Sequence, residues 1–400
     1  MCFMKKKTVS VLLAAAMVVS MLAGCGSAAS TTASSSQAAA STVAASSAAA
    51  STAAASTAAV ASTAAASTAA SSAAAATEAS IPKGTDAKGK TYAIVVKSAG
   101  NPYNEKMEEG FKEVIEANGG TCIAKEPDSA TADAQVSVIQ SLISQKVNSI
   151  SIAANDENAL QSALTAAMKA GIKVDCMDSK VNSKSRETFI NQAGNQEVAQ
   201  ALMDAVYDIS GGSGQFAILS ATSQATNQNA WIAAMKSLMS SNSKYKSLEL
   251  TEVAYGDDEP QKSTDQTQAL LSKYPNLKVI CAPTTVGISS AAKVLQDQKS
   301  KVKLTGLGLP SEMAEYIGSD ATHSCPYMFL WNPVDLGKLA AYTSMALVND
   351  KIKGAVNDKF TAGAMGDYTL TDAGDGGSQI ILGAPFKFDP SNIAQWKSVY

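Results

Sequence analysis

The feature that most constrains the fold is a series of short apolar runs that alternate with helical patterns. Residues 92–96 and 150–153 are apolar runs of strand length, and each is followed by a segment whose apolar side chains recur at helical spacing. Residues 172–177 form another such run. Strands that alternate with helices of this length form a parallel sheet with helices on both faces. The sequence therefore predicts an α/β fold with parallel sheets flanked by helices.

A second series, beginning at Phe216, repeats the first. Tyr-Ala-Ile-Val, Asn-Pro-Tyr-Asn and a helical pattern in the first series are matched by Phe-Ala-Ile-Leu, Asn-Gln-Asn-Ala-Trp and a helical pattern in the second. Residues 278–282 and 302–307 likewise match residues 149–153 and 172–177. Two similar units, in a folded region too long for one comfortable core, predict two lobes that face each other.

Polar loops follow the predicted strands at their carboxyl ends, where open α/β sheets bind ligands. These loops comprise residues 97–103, 153–157 and 178 in the first unit, and residues 220–229, 283–285 and 308 in the second. Facing lobes would gather them into one interlobe cleft. Their amides and hydroxyls donate and accept hydrogen bonds without charge, which favours a ligand made of hydroxyl groups.

The charged and amide side chains of these loops are the first candidates for ligand contacts. Asp178 ends a predicted buried strand, and its carboxylate can accept charge-assisted bonds from two adjacent hydroxyls. Lys97 can donate to ligand oxygens, and Asn227 and Gln228 offer paired donors and acceptors. The alternatives are a turn aspartate, a solvated loop lysine and amides, Asn229 included, that cap the following helix.

Aromatic residues near the same loops can cover the apolar face of a sugar ring. Tyr103 and Trp331 are the candidates, with interlobe packing as the alternative for each. Trp231 lies one helical step beyond the loop and is expected in the core. Asn332 is expected to be a ligand donor or a hinge residue.

The start of the chain predicts export and membrane attachment. Three lysines at residues 5–7 precede an apolar run over residues 9–22, which is typical of an export signal and too short for a comfortable transmembrane helix. The closing string Leu-Ala-Gly-Cys25 resembles the bacterial lipobox, whose cysteine is lipidated and becomes the first mature residue. The alternative is an ordinary signal peptide in which Cys25 is incidental. We predict a lipoprotein signal peptide over residues 1–24.

Residues 25–87 are expected to be the lipidated cysteine and a disordered tether. Residues 26–80 are nearly all Ala, Ser and Thr, with no apolar face whose burial could offset the entropy of ordering the chain. A long tether suits a protein held at the extracytoplasmic face of the membrane, and a Gram-positive surface fits it better than a periplasm.

The overall composition excludes several functions. Net charge is −3, with no basic cluster beyond the signal, so nucleic acid is not an expected partner. His323 is the only histidine, which leaves no material for a histidine zinc site or a Ser-His-Asp triad. Four cysteines follow Cys25 without a CxxC motif; buried thiols are expected, and a Cys281–Cys325 bridge is the alternative. No metal, cofactor or catalytic residue is expected.

An acidic turn near the C-terminus has a faint likeness to a calcium loop. Asp372 and Asp375 lie in Thr-Asp-Ala-Gly-Asp-Gly-Gly, but the closing glutamate of a calcium loop is missing. A surface turn is therefore expected.

Several strings together resemble those of the rhamnose-type solute-binding proteins, over about residues 88–400. That family belongs to the ribose-binding, class I periplasmic-binding-protein superfamily that serves ABC importers. The strings are Lys-Ser-Ala-Gly-Asn-Pro-Tyr from residue 97, Phe-Ile-Asn-Gln from 189, Ala-Thr-Asn-Gln-Asn-Ala-Trp from 225, Ala-Pro-Thr-Thr-Val-Gly from 282, Thr-Gly-Leu-Gly-Leu-Pro from 305 and Leu-Trp-Asn-Pro-Val-Asp-Leu-Gly from 330. The resemblance implies two Rossmann-like lobes, three hinge crossings and closure around one monosaccharide.

Autoinducer-2 receptors are near relatives in this resemblance. Their ligand-binding positions match Lys97, Asp178, Asn227, Gln228, Pro283 and Thr285. Asn227 replaces an aspartate of those receptors and Thr285 an alanine, which speaks against autoinducer-2 without excluding it. Ribose is not expected, because the usual Asp near Gly308 and Arg before Trp231 are absent.

The resemblance completes the predicted site and the division into lobes. The candidate ligand-binding residues are Lys97, Asn101, Tyr103, Asp178, Asn227, Gln228, Asn229, Pro283, Thr285, Trp331 and Asn332. The expected N-terminal lobe comprises residues 88–190 and 332–363, and the expected C-terminal lobe residues 191–331 and 364–400.

The predicted function is that of a monomeric, lipid-anchored binding subunit of an ABC sugar importer. It would bind a rhamnose-like monosaccharide and deliver it to the permease and ATPase subunits. The alternatives are an autoinducer-2 receptor, a sugar-sensing partner of a membrane kinase, and a hydrolase in the same cleft. Asp178 alone does not supply the paired carboxylates that a glycosidase needs.

Overall fold

The computed structural model describes residue 81 and residues 83–400. The predicted signal peptide, the lipidation site Cys25 and nearly all of the predicted tether lie outside the described residues. Within the described part, no helix is both long enough and apolar enough to cross a membrane.

The elements alternate as the sequence predicts. The first group is β1 (Thr91–Val95), α1 (Pro102–Ala117), β2 (Thr121–Lys125), α2 (Ala132–Gln145), β3 (Ser149–Ile152), α3 (Gln161–Lys169), β4 (Lys173–Met177) and β5 (Thr188–Asn191). The second is α4 (Asn195–Ser210), β6 (Gly214–Ser220), α5 (Thr226–Ser241), β7 (Leu248–Tyr255), α6 (Pro260–Lys273), β8 (Leu277–Ala282), α7 (Thr285–Asp297), β9 (Lys303–Gly306), α8 (Pro310–Met313) and β10 (Met328–Leu330). The last is α9 (Pro333–Val348), β11 (Lys359–Thr361), β12 (Asp367–Thr369), β13 (Thr371–Asp372), β14 (Ser378–Ile381), β15 (Phe386–Phe388) and α10 (Ile393–Trp396).

The first lobe is built on a seven-stranded sheet in the order β13-β14-β5-β4-β3-β1-β2. All of its strands run parallel except β13, which pairs antiparallel with β14. Strands β3 and β5 are buried along their whole length. Burial on both faces explains why the parallel strands appear in the sequence as continuous apolar runs.

The second lobe contains a four-stranded parallel sheet in the order β7-β6-β8-β9. Strands β10 and β15 form an antiparallel pair beside it, joined to the end of β9 by a bridge between Leu307 and Phe329. The predicted α/β class with parallel sheets flanked by helices is therefore confirmed.

The chain passes between the two lobes three times, between β5 and α4, between β10 and α9, and between β14 and β15. Helix α4 packs on α5, β8 and β9, whereas α9 packs on α1 and on the first sheet. The three crossings agree with the expected class I arrangement.

The expected division of the C-terminal segment is wrong for β13 and β14, whereas β15 and α10 pack in the second lobe as expected. Residues 364–400 were expected in the second lobe, with residues 380–382 as the last strand. Instead β14 pairs in parallel with β5, through Gln379 opposite Phe189 and Ile380 opposite Ile190, and the last strand is β15. Strand β14 covers an edge of β5 that would otherwise be exposed and open to pairing with another chain.

Two helices near the cleft begin within polar segments of the chain. Helix α3 begins at Gln161, because the polar residues before it hold a turn: Asp156 Oδ1 accepts from the backbone N–H groups of Asn158 and Ala159, at 2.8 Å each. Helix α5 begins at Thr226, which places Asn227 and Gln228 in its first turn.

The cysteines of the described part are all free. Cys176, Cys281 and Cys325 are buried, as predicted, and no Cys281–Cys325 bridge forms. Burial raises the pKa of the Cys281 thiol to about 12, so that it stays protonated and unreactive.

The acidic turn near the C-terminus, residues 371–377, is held by the side chain of Arg186. Both oxygens of the Asp375 carboxylate accept from Arg186 Nη2, at 2.9 and 2.8 Å, and Lys180 Nζ lies 3.4 Å from Oδ2. Burial alone would raise the pKa of Asp375, but the Arg186 contacts lower it. The turn therefore fastens the β13–β14 hairpin to the loop after β4.

Helices α1 and α9 approach each other through two glycines. A Cβ atom on Gly337 would overlap the backbone carbonyl of Met107, and one on Gly110 would overlap that of Val334. This close crossing fixes the start of α9, and with it the second hinge crossing, against the helix that follows β1.

We expect Gly337→Ala to destabilise the protein by about 1–3 kcal/mol, because the added methyl group must push the two helices apart. Intrinsic helix propensity alone would predict a gain of about 1 kcal/mol. Urea unfolding measures the difference. Gly383→Ala is the matched control, since nothing lies within 4 Å of its Cβ position. A Gly337→Ala protein as stable as the wild type would contradict the close-crossing argument.

A buried carboxyl group links α9 to the first sheet. Asp175 is wholly buried, and its two oxygens accept from Ser151 Oγ at 2.5 Å and from Ser344 Oγ at 2.6 Å. Burial raises the pKa of Asp175 to about 7, against the lowering effect of these two hydroxyls.

Asp175→Asn should therefore change the pH dependence of stability. Between the usual aspartate pKa and about pH 7, the unfolded chain has lost a proton that the folded chain keeps, so the stability of the wild type falls as pH rises. Asparagine carries no charge and can keep both hydroxyl contacts. We expect the variant to gain roughly 3 kcal/mol relative to the wild type between pH 5 and pH 8. Urea unfolding at both pH values measures this; a stability difference independent of pH would contradict it.

Candidate ligand-binding site

A cavity of about 370 Å³, partly open to solvent, lies between the lobes at the carboxyl ends of both sheets. It is lined by Lys97, Asn101, Tyr103, Asn104, Asp178, Asn227, Gln228, Trp231, Asp258, Pro283, Thr284, Thr285, Leu307, Leu330 and Trp331. Nine of the eleven predicted ligand-binding residues are in this set.

The first lobe contributes the loop between β1 and α1 and the residue after β4. Asn101 caps α1, its Oδ1 accepting from the backbone N–H of Tyr103 at 3.0 Å. Asn155 Nδ2 donates to the carbonyl of Lys97 at 2.8 Å and so holds the loop that carries this lysine. Asp178 has a φ of 58°, which is uncommon for a residue other than glycine. Residues with strained backbone conformations of this kind cluster at functional sites.

The carboxylate of Asp178 is surrounded by donors. Tyr103 Oη donates to Oδ1 at 3.0 Å and Ser179 Oγ donates to Oδ2 at 2.9 Å. Trp331 Nε1 in turn donates to Tyr103 Oη at 2.6 Å. Burial, together with the negative charge of Asp178, raises the pKa of Tyr103 well above its usual value, so its hydroxyl remains a donor.

Hydrogen bonds cross the cleft and close the lobes on one another. Asn227 Nδ2 donates to Asp178 Oδ2 at 3.0 Å, and Lys97 Nζ donates to Asn227 Oδ1 at 2.9 Å. Thr285 Oγ1 donates to Asn101 Oδ1 at 3.2 Å. An amide both donates and accepts, so Asn227 fits between a cation and an anion that lie 3.4 Å apart in the first lobe.

Two predicted ligand-binding residues lie outside the cavity lining. Asn229 Nδ2 donates to the carbonyl of Ser223 at 2.9 Å and stabilises the loop before α5. Asn332 caps α9, its Oδ1 accepting from the N–H groups of Val334 and Asp335 at 2.9 and 3.3 Å. Each of these amides satisfies a nearby backbone group, and its contact with ligand stays a prediction.

Asp258 is a cavity residue that the sequence analysis missed. It follows β7, and its Oδ1 accepts from Thr284 Oγ1. Burial raises the pKa of the Asp258 carboxyl above its usual value; the nearby charge of Lys97 opposes this and that of Asp178 adds to it. The available signal was the string Gly-Asp-Asp directly after β7, at the carboxyl end of a parallel strand, where such sheets bind ligands.

An aromatic and aliphatic wall forms the apolar part of the cavity. The ring centroids of Trp331 and Trp231 are 5.8 Å apart, and the rings of Tyr103 and Trp331 are nearly perpendicular, with centroids 6.4 Å apart. Leu307 and Leu330 extend this wall. Trp231 was expected in the core, and it is buried, but it also lines the cavity.

Within residue 81 and residues 83–400, no group of three His, Cys, Asp or Glu side chains is arranged to hold a metal ion. The cavity instead combines two carboxyl groups, one lysine, several amides and hydroxyls, and an apolar wall. Such a set of groups can hold a neutral, polyhydroxylated molecule by hydrogen bonds.

The fold and this cleft define a class of two-lobed binding proteins. Comparison with known proteins shows which family of that class the chain belongs to. Residues 92–352 match the periplasmic binding protein domain, and the chain belongs to that family. Its class is that of the solute-binding proteins of sugar ABC transporters, which are extracytoplasmic binding proteins and not enzymes.

Solved structures agree with this assignment. An ABC transporter solute-binding protein from Clostridium phytofermentas with bound L-rhamnose is 62% identical, with a TM-score of 0.77, over 78% of this chain and 99% of that one. A sugar ABC transporter protein from Actinomyces odontolyticus is 40% identical, with a TM-score of 0.62, over 78% and 99%. LsrB from Clostridium saccharobutylicum in complex with AI-2 shares the fold, with 20% identity and a TM-score of 0.71, over 76% and 99%. The resemblance to rhamnose-type binding proteins is thereby confirmed.

Replacing Tyr103 with phenylalanine should weaken the unliganded protein, because Asp178 loses a donor and the indole N–H of Trp331 loses its acceptor. We expect a loss of about 1–3 kcal/mol in the free energy of unfolding. Tyr255→Phe, at a partly exposed position outside the cavity, is the control. Equal stabilities of the two variants in urea would show that the Trp331–Tyr103–Asp178 chain contributes nothing.

Proposed function

We propose that this protein is the lipid-anchored binding subunit of an ABC importer and that it binds L-rhamnose or a close monosaccharide relative in the interlobe cavity. One observation carries the proposal: a protein 62% identical over almost its whole length was crystallised with L-rhamnose. The chemistry of the cavity supports it independently.

The polar groups of the cavity suit the hydroxyls of a sugar. Asp178 and Asp258 come from different lobes and can each accept from ligand hydroxyls, and Lys97 can donate to ligand oxygens. Bonds to charged groups are roughly twice as strong as neutral ones, so these residues would fix the orientation of the ring. The amide of Gln228 adds a neutral donor and acceptor.

The apolar wall suits the remaining face of such a ligand. L-rhamnose carries a methyl group beside its hydroxyls, and Leu307, Leu330 and Trp331 can bury a methyl group and the C–H face of the ring. This arrangement combines apolar surface with a few placed polar groups.

Binding would favour the closed arrangement of the lobes. A ligand that contacts both Asp178 and Asp258 interacts more strongly with the closed state than with an open one, and this difference in affinity shifts the equilibrium. The three crossings leave few chain segments to bend, so lobe rotation about them is the expected motion. The closed form would then be recognised by the permease.

Autoinducer-2 is the second candidate ligand. The six positions that correspond to its receptors' contacts, Lys97, Asp178, Asn227, Gln228, Pro283 and Thr285, all line the same cavity. Asn227 tells against it, because its neutral amide replaces the carboxylate of those receptors. A sugar-sensing role with a membrane kinase would use the same site and the same closure.

The anchoring part of the proposal rests on the Leu-Ala-Gly-Cys25 string and the Ala/Ser/Thr-rich segment after it. A diacylglyceryl group on Cys25 would hold the binding lobes, as a monomer, at the extracytoplasmic face of the membrane. Mass spectrometry of the mature protein tests this directly: a mature chain that does not begin at a lipidated Cys25 removes the anchor.

The ligand assignment is tested by thermal unfolding with a panel of monosaccharides and autoinducer-2. L-rhamnose at about 100 times its dissociation constant should stabilise the protein by roughly 2.7 kcal/mol. Asp178→Asn should weaken binding about 10- to 100-fold, because a charge-assisted bond worth roughly 1.5–3 kcal/mol is lost. The exposed Asp128→Asn is the control and should bind normally. Stabilisation by autoinducer-2 but by no sugar would overturn the rhamnose assignment.

A further inference from the structure

Two buried side chains of α5 face the cavity with an unused hydrogen-bonding atom each. Gln228 and Trp231 both line the cavity, and their exposed fractions are only 6% and 2%. They lie three residues apart, so they share one face of the helix.

Among the cavity-lining residues that the structure describes, these two alone carry a buried side-chain nitrogen or oxygen without a hydrogen-bond partner. The atoms are Gln228 Oε1 and Trp231 Nε1. Trp331, by contrast, donates its indole N–H to Tyr103 Oη. The amide of Asn227 is also satisfied on both sides.

Such unsatisfied atoms are costly and therefore informative. A buried donor or acceptor left without a partner costs about 1–3 kcal/mol, and nearly all such groups in native proteins are paired with protein or with another molecule. One donor and one acceptor, left together at a ligand cavity, indicate a missing partner that both accepts and donates.

A hydroxyl group has that chemistry, since its oxygen accepts while its hydrogen donates. We propose that Trp231 and Gln228 together recognise one hydroxyl group of the ligand. Trp231 Nε1–H donates to the hydroxyl oxygen, and the same hydroxyl donates its hydrogen to Gln228 Oε1. Trp231 is thus a specificity-determining residue, although its burial and its contact with the Trp331 ring give it the look of a packing residue. This inference rests on the proposed function only in that a hydroxylated ligand occupies the cavity.

The pair would reject a ligand that lacks this hydroxyl. A site built to hydrogen-bond a hydroxyl discriminates strongly against the deoxy analogue, because its buried polar groups are then left unpaired. An O-methylated analogue would fail as well, since it can accept from Trp231 but cannot donate to Gln228. Deoxy and O-methyl derivatives at each ring position would identify which hydroxyl is recognised.

The indole N–H signals of the protein provide a direct test. The chain has only three tryptophans, so a ¹⁵N-labelled protein gives three indole signals, and Trp231→Phe and Trp396→Phe assign two of them. On adding L-rhamnose, the Trp231 proton should move downfield and exchange more slowly with water. The Trp396 signal, outside the cavity, should stay in place.

Affinity measurements on variants complete the test. Trp231→Phe keeps an aromatic ring but removes the N–H, and should weaken L-rhamnose binding about 10-fold, whereas Trp396→Phe should leave it unchanged. Gln228→Leu should have a similar effect. If one hydroxyl serves both, the double variant Trp231→Phe/Gln228→Leu should lose less than the product of the two single losses.

The outcomes separate this inference from the proposed function. Binding of L-rhamnose with an unmoved Trp231 signal, or with undiminished affinity in Trp231→Phe, overturns the hydroxyl pair and leaves the proposed function intact. Losses that multiply show that the two residues contact different groups and overturn the shared hydroxyl. The absence of binding by every sugar and by autoinducer-2 overturns both proposals.

Discussion

The negative charge of Asp178 is the constraint on which the binding cleft depends. A buried carboxylate is tolerated only when donors surround it, because the cost of removing a charge from water is several kcal/mol. Tyr103 and Ser179 meet this need within the first lobe, and Asn227 meets it from the second. The same charge orders the aromatic wall, because Tyr103 donates to Asp178 and Trp331 donates to Tyr103. It also draws the lobes together, because Asn227 of the second lobe donates to Asp178.

The scaffold brings these groups together by simple means. Parallel strands direct their carboxyl ends to one edge of each sheet, and the two edges face each other. The glycine contact between α1 and α9 holds the second crossing beside Tyr103, in the first turn of α1, and beside the preceding loop that carries Lys97. Asp175, three residues before Asp178, ties α9 to the sheet below. The ligand cavity thus rests on rigid elements, and the movable parts are confined to the crossings.

Much of the fold could be predicted from the sequence because parallel strands buried on both faces leave continuous apolar runs. The repeat of strand, polar loop and helix also predicted a cleft, and the polar loops supplied nine correct lining residues. The sequence is least informative where two arrangements of the same residues are nearly equal in free energy. The amides of Asn229 and Asn332 could bind ligand or backbone groups, and only the local geometry decides between them. The short run at residues 380–382 is a strand in either lobe, and a run so short carries no information about its partner. Asp258 was missed because an acidic turn after a strand is more often a surface loop.

The pairing of β14 with β5 has a consequence for how the chain folds. It joins residues about 190 positions apart, so the first sheet cannot be completed until nearly the whole polypeptide has been synthesised and exported. The four-stranded sheet of the second lobe, β6 to β9, is contiguous in the chain, and only the β10–β15 pair beside it waits for the C-terminal residues. Contacts of long sequence separation slow folding, because a large loop must close before the contact stabilises anything. The second lobe should therefore form early, and the first lobe, with the edge of β5 open in the meantime, is the part most exposed to misassembly outside the cell.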